Sequence, residues 1–178
     1  TFGSSIDLEG TLEAGANLTV SGLISVGGDS AAISIPAAGT TLLKTGGAIN
    51  VGAHTLSIGG AGTFQFHYWS GLVLDDADSI LNLTGSVTIS GPVKLENGTV
   101  KSTGSPTISL FGSLVYQNPA LLADVTIDVA TGQTLTWTNP FENGLSLGAN
   151  TLTLSGGGTF NNTNALVLNN ADSLLSLA

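Results

Sequence analysis

The feature that most constrains the fold is a short apolar–polar–apolar triplet that recurs every six to eight residues through much of the chain. Clear examples are Leu18-Thr19-Val20, Leu56-Ser57-Ile58, Val87-Thr88-Ile89 and Leu152-Thr153-Leu154. Alternation with a period of two, flanked by Gly, Asn, Ser and Thr, predicts strands with one buried face. Helical spacing is nowhere sustained, and each of the 25 glycines would cost a helix interior about 1 kcal/mol. The sequence therefore predicts an all-β protein.

The spacing of the triplets also indicates how the strands are arranged. Antiparallel sandwiches place turn signals about 8–12 residues apart, whereas a β-helix turns a corner after only a few residues. We predict a parallel β-helix, or β-solenoid, with about three short strands per coil of about 20–25 residues, which gives about seven coils. Two tandem antiparallel β-sandwich domains are the alternative.

A long internal duplication supports the solenoid prediction. The segment INVGAHTLSIGGAGTF from Ile49 returns as LSLGANTLTLSGGGTF from Leu145, and GLVLDDADSILNLT (71–84) returns as ALVLNNADSLLSLA (165–178). Residues 49–84 thus resemble residues 145–178. Because each coil of a solenoid is the template for the next, coil units can duplicate without disturbing their neighbours. We expect residues 1–178 to form a single solenoid segment.

The charge balance excludes some classes of partner. Twelve acidic residues face three lysines and no arginine, for a net charge of −9. Such a chain repels phosphates, so we expect no nucleic-acid partner and no attraction to an anionic membrane. No apolar run approaches the ~20 residues that span a bilayer, so membrane insertion is not expected either. The sequence begins at Thr1 and contains no Met, which is typical of a processed chain or an excised segment.

The triplets also carry a family resemblance. LTLSGGGTF (152–160), VTISG (87–91) and LTVSG (18–22), in a Gly-, Ser-, Thr- and Asn-rich chain without Cys, resemble the passenger regions of bacterial autotransporters and filamentous-haemagglutinin-type adhesins. The resemblance implies a secreted or surface-anchored β-helical stalk that serves adhesion, and it supplies no catalytic residue. We therefore expect an extracellular structural or adhesive surface protein that forms a stalk or filament. Its expected partners are further copies of itself, stacked end to end, and a glycan or host surface.

An acidic cluster is the main candidate for other chemistry. Asp75, Asp76 and Asp78 could bind calcium or supply the acid pair of a glycoside hydrolase. In the second copy the first two positions become Asn169 and Asn170, so a polar corner is the favoured interpretation. No arginine accompanies the cluster to hold an acidic polysaccharide, and the histidines lack converging ligands. We expect no enzyme activity, metal or cofactor.

A binding module is the alternative function. Exposed aromatic residues can form a platform for sugar rings, and aligned threonines on a flat face could order water as in ice-binding β-helices. Alternation along a strand places Gln65, His67 and Trp69 on the face opposite Phe64, Phe66 and Tyr68. A wider coil filled by larger side chains would also explain the aromatic residues. The candidate surface residues are Gln65, His67, Trp69, Thr134, Thr136, Trp137 and Thr138.

Overall fold

The protein is a parallel β-solenoid in a computed structural model, which describes residues 3–67, 70–91, 93–95, 97–109, 124–138, 145–163, 165–168 and 170–178. Strands recur in groups of three along the chain, and the residues of this described part include no helix. All described strand pairs are parallel. The predicted solenoid is therefore confirmed, and the antiparallel sandwich alternative is wrong.

The strands form three faces, named here in the order in which a coil visits them. The first face contains β1 (Ile6–Leu8), β4 (Ile24–Val26), β7 (Ile49–Asn50), β10 (Leu72–Leu74) and β13 (Val93–Leu95). A two-stranded sheet of β18 (Leu145–Ser146) and β21 (Leu166–Val167) takes the same place in the order of later coils.

The second and third faces are longer. The second contains β2 (Thr11–Glu13), β5 (Ser30–Ile35), β8 (Thr55–Gly60), β11 (Ile80–Gly85), β14 (Gly98–Ser102), β16 (Val125–Val129), β19 (Thr151–Ser155) and β22 (Leu174–Leu177). The third contains β3 (Leu18–Val20), β6 (Thr41–Lys44), β9 (Thr63–Phe66), β12 (Thr88–Ser90), β15 (Thr107–Ser109), β17 (Thr134–Thr138) and β20 (Thr159–Asn162).

The length of a coil varies more than the sequence predicts. On the second face, the step between register partners is 25 residues from Thr55 to Ile80, 19 from Ile80 to Thr99 and 27 from Thr99 to Thr126. The strands stay in register because the connections between faces take up the difference. Position along the sequence therefore does not by itself reveal which residues are neighbours on a face.

Columns of inward side chains form the core. On the second face, Leu56, Leu81, Val100 and Ile127 are direct register neighbours, and each is fully buried. Burial of one such side chain contributes about 1.5–3 kcal/mol. The alternation in the triplets thus becomes a continuous aliphatic column through successive coils.

The duplication is visible in the backbone as well. Gly60 ends β8 with φ +113°, and the equivalent Gly156 has φ +87°. A Cβ atom at Gly60 would collide with the carbonyl oxygen of Ile35, and one at Gly156 with that of Val129. Both copies therefore require glycine at this corner, because neighbouring coils approach closely and the backbone is left-handed.

Candidate functional site

A column of five threonines runs along the outer side of the third face. Its members are direct register neighbours on five successive strands, and each is partly exposed: Thr41, Thr63, Thr88, Thr107 and Thr136. Asn161 continues the register beyond Thr136. At the other end, the side chain of Asn17 accepts a hydrogen bond from the backbone N–H of Thr41 at 2.9 Å. We call these five residues the threonine column.

A second column of register positions lies two residues further along each strand. It is polar apart from one leucine and contains Thr19, Leu43, Gln65, Ser90, Ser109 and Thr138. Neighbouring strands lie ~4.7–4.9 Å apart, and residues i and i+2 lie about 6.6 Å apart along a strand. The two columns together form a grid of register positions, which we call the third-face grid.

The third-face grid carries no ionisable residue, although the chain has a net charge of −9. The acidic residues that the structure describes lie on first- or second-face strands or in the segments that lead into the second face. They are Asp7, Glu9, Glu13, Asp29, Asp75, Asp76, Asp78, Asp124, Asp128 and Asp172. Within the described part of the chain, negative charge is thus kept away from the third-face grid.

The aromatic side chains of β9 belong to the core. Phe64 is fully buried and Phe66 is 5% exposed, with their ring centroids 4.7 Å apart. Gln65 and His67 are exposed, as the alternation predicts. Trp69 lies outside the described residues.

Trp137 requires a correction. It was predicted as a candidate surface residue, but it is only 4% exposed and packs edge-on against Phe160 with ring centroids 6.4 Å apart. Leu135, two residues earlier on the same strand, is fully buried, so the strand alternation turns Trp137 into the core as well. Trp137 therefore cannot contribute to an exposed platform for sugar rings.

The predicted threonines of β17 are divided between two columns and a separate pair. Thr136 belongs to the threonine column, and Thr138 occupies a register position in the second column, although its side chain lies outside the described part. Thr134 pairs with Thr159 at one end of the strand. Sequence analysis found this strand but missed Thr41, Thr63, Thr88 and Thr107, which complete the column.

The acidic cluster forms a polar corner between the first and second faces. The Oδ1 atom of Asp76 accepts a hydrogen bond from the backbone N–H of Asp78 at 2.9 Å. The Ser79 hydroxyl accepts one from the backbone N–H of Asp76 at 3.2 Å and donates to the carbonyl of Gly52 in the preceding coil. The corner is therefore fastened to its neighbouring coil through Ser79.

The second copy makes the same bonds without the same charge. The Oδ1 atom of Asn170 accepts from the backbone N–H of Asp172 at 3.0 Å, and the hydroxyl of Ser173 donates to the carbonyl of Gly148. An amide oxygen thus replaces the carboxylate of Asp76 in the same turn. Within the described ranges, no three Asp, Glu, His or Cys side chains form a group that could hold a metal ion. The geometry of Asp76 is thus explained by the turn alone.

Lys44 is an unexpected buried cation. Its side chain is fully buried at the end of β6, where its register neighbours are Val20 and Phe66. The ammonium donates hydrogen bonds to the carbonyls of Gly46 and Gly47, the second at 3.0 Å. Burial lowers the pKa of Lys44 below its usual value of 10.5 because desolvation disfavours the charged form. Its interior position gives Lys44 a structural role at this corner.

Comparison with protein-family models, curated proteins and solved structures gave no match. Over the residues whose structure is described, there is no helix of the length and apolar character that a membrane crossing requires.

Proposed function

We propose that the protein is a structural or adhesive extracellular surface protein whose solenoid forms a stalk or filament by coil stacking. What supports this proposal is that the described coils stack on one another in parallel register, so the same pairing would extend the sheets into a further coil. The inward column of the second face continues from Ile127 to Leu154 and Leu177, and Leu177 is 77% exposed. This column is fully buried from Leu56 to Ile127, and a further coil in the same register would cover Leu177.

Two further leucines among the last described residues are also exposed. Leu174 on the same strand is 53% exposed, and Leu168 is 52% exposed. The strand β22 pairs with β19 and is the last described strand of its sheet. Exposed strand edges with apolar side chains are templates for pairing with another strand. One further coil, stacked in the same parallel register, would cover both features.

The strands β1 to β3 lie at the opposite end of the described stack. In the first coil, Leu8, Ala14 and Val20 are already buried, while Leu12 and Leu18 are only partly buried and pack on the core. A head-to-tail contact between two different ends is heterologous, and such contacts produce open filaments when the rotation does not close a ring. Stacking through these ends would extend the existing sheets from one copy to the next.

The first test measures self-association of the purified 178-residue chain by analytical ultracentrifugation and negative-stain microscopy. We expect a sedimentation coefficient that rises with concentration and rods of constant width. Leu177→Lys should abolish both, because it places a charge on the stacking surface. The matched control is Leu23→Lys, since Leu23 is 37% exposed but lies before β4 in an early coil. A chain that is monomeric at every concentration, with no effect of Leu177→Lys, would contradict end-to-end stacking.

The second test concerns location and adhesion. Brief protease treatment of intact cells that express the protein should remove it from the surface without cleaving a cytoplasmic marker. Purified chain coupled to beads should retain them on immobilised glycans or host cells under flow. Complete protection from the protease would contradict the extracellular part of the proposal, and absence of retention would contradict the adhesive part.

A further inference from the structure

We propose that the third-face grid binds ice. Two observations together support this inference. The threonine column occupies the same register position on five successive strands, and the second column beside it contains no ionisable residue. The grid lies along the side of the solenoid, so its proposed role is separate from stacking at the ends.

The grid is rigid and regularly spaced. Each threonine occupies the same register position on its strand, so their Cα atoms repeat with the ~4.7–4.9 Å separation of the strands. Threonine is branched at Cβ, which restricts χ1, and neighbours above and below keep each member of the column partly buried. An array of this kind is ordered before a ligand arrives, and little conformational entropy is lost on binding.

The chemistry of the grid suits a lattice of neutral donors and acceptors. Each threonine hydroxyl donates one hydrogen bond and accepts up to two, as a water molecule in ice both donates and accepts. Each threonine also carries a γ-methyl group, which adds apolar surface to the column. Charged side chains, by contrast, hold strong hydration shells of their own, and the grid contains none.

The second face shows that threonine pairing alone does not produce this surface. Thr99, Thr126 and Thr153 are also register neighbours, and such cross-strand pairs stabilise a sheet. On this face, however, Ile80 interrupts the column, and Lys101 faces Asp128 in the column beside it. Sheet stabilisation explains threonines on both faces but not the absence of ionisable residues from the third-face grid.

The experiment grows polycrystalline ice slowly from a dilute solution of the full chain and measures the protein concentration in the ice and in the remaining liquid. We expect wild-type protein to be enriched in the ice and to inhibit ice recrystallisation. Thr88→Lys should lose both activities, because Thr88 is the middle of the threonine column and lysine introduces a long charged side chain. The matched control is Thr126→Lys, which makes the same change on the second face and should keep both activities.

Circular dichroism and thermal melting establish that each variant is folded, and Thr63→Lys replaces Thr88→Lys if the latter is not. Exclusion of the wild-type chain from ice, to the same extent as an inert protein of similar size, would overturn the proposal. Equal loss in the Thr88→Lys and Thr126→Lys variants would also overturn it. The end variant Leu177→Lys should still bind ice, so failure of stacking and failure of ice binding are distinguishable.

Discussion

Replacing Ser79 with alanine should measure how strongly the polar corner fastens one coil to the next. Ser79 is fully buried, and its hydroxyl both donates to the Gly52 carbonyl of the preceding coil and accepts from the backbone N–H of Asp76. Alanine removes both bonds and leaves two backbone groups without these partners. Because an unsatisfied buried group costs about 1–3 kcal/mol, we expect Ser79→Ala to lower the free energy of unfolding by about 2 kcal/mol.

The second copy provides a matched control. Ser173 makes the equivalent bonds to Gly148 and Asn170, but it is partly exposed in the last coil. Water can replace its hydroxyl there, so Ser173→Ala should cost only about 0.5–1 kcal/mol.

Thermal melting followed by far-ultraviolet circular dichroism is the assay. A loss of 1 kcal/mol lowers Tm by about 2–4 °C in a chain of this size, so we expect a decrease of about 4–8 °C for Ser79→Ala and less than half of that for Ser173→Ala. Equal decreases in Tm for the two variants, or an unchanged Tm for Ser79→Ala, would refute the reasoning that burial of the serine hydroxyl determines how much it stabilises the fold.

Three further predictions concern the core, the buried cation and the acidic cluster. Leu81→Ala should destabilise the chain by about 2–5 kcal/mol in urea unfolding, since Leu81 is fully buried in the second-face column; a loss below 1 kcal/mol would contradict that packing. Burial lowers the pKa of Lys44, so the unfolded chain binds more protons than the folded chain between that lowered pKa and 10.5. The Tm of the wild type should therefore rise relative to that of Lys44→Met as the pH increases through this window. A difference in Tm between the two proteins that stays constant with pH would argue against the buried ammonium. Asp76→Asn should leave Tm within about 1–2 °C of wild type, since Asn170 makes the same turn bond, and calcium should not change Tm in either protein; a calcium-dependent increase that Asp76→Asn removes would restore the metal hypothesis.

The fold was predictable from the sequence because the apolar–polar alternation of each strand is a local pattern. Leu56-Ser57-Ile58 and Leu152-Thr153-Leu154 lie in β8 and β19, with the outer two residues turned inward and the middle residue outward. The alternation also agrees with the inward position of Lys44, because in Thr41-Leu42-Leu43-Lys44 it places Lys44 on the same side of the strand as the buried Leu42. What the alternation cannot show is which of its two sides will face the core when both carry plausible residues, as at Trp137.

The threonine column could not be found by sequence analysis for a different reason. Its members are separated by 22, 25, 19 and 29 residues from Thr41 to Thr136, because each coil has connections of different length. Many other threonines precede an inward apolar residue, such as Thr55 before Leu56. Only the register assigns a threonine to the second or the third face, and register depends on every connection in the coil.

The most direct test of the register is a disulfide introduced into this cysteine-free chain. Thr63 and Thr88 are register partners on neighbouring strands, so their Cα atoms should lie within the 4.4–6.8 Å that a disulfide spans. Thr63 and Thr107 are two strands apart, about 9.5 Å, and cannot be joined.

Mild oxidation followed by peptide mapping with mass spectrometry should therefore show an intramolecular disulfide in the Thr63→Cys, Thr88→Cys double variant. It should show none in the Thr63→Cys, Thr107→Cys double variant. A disulfide in the second variant but not in the first would contradict the parallel stacking of coils.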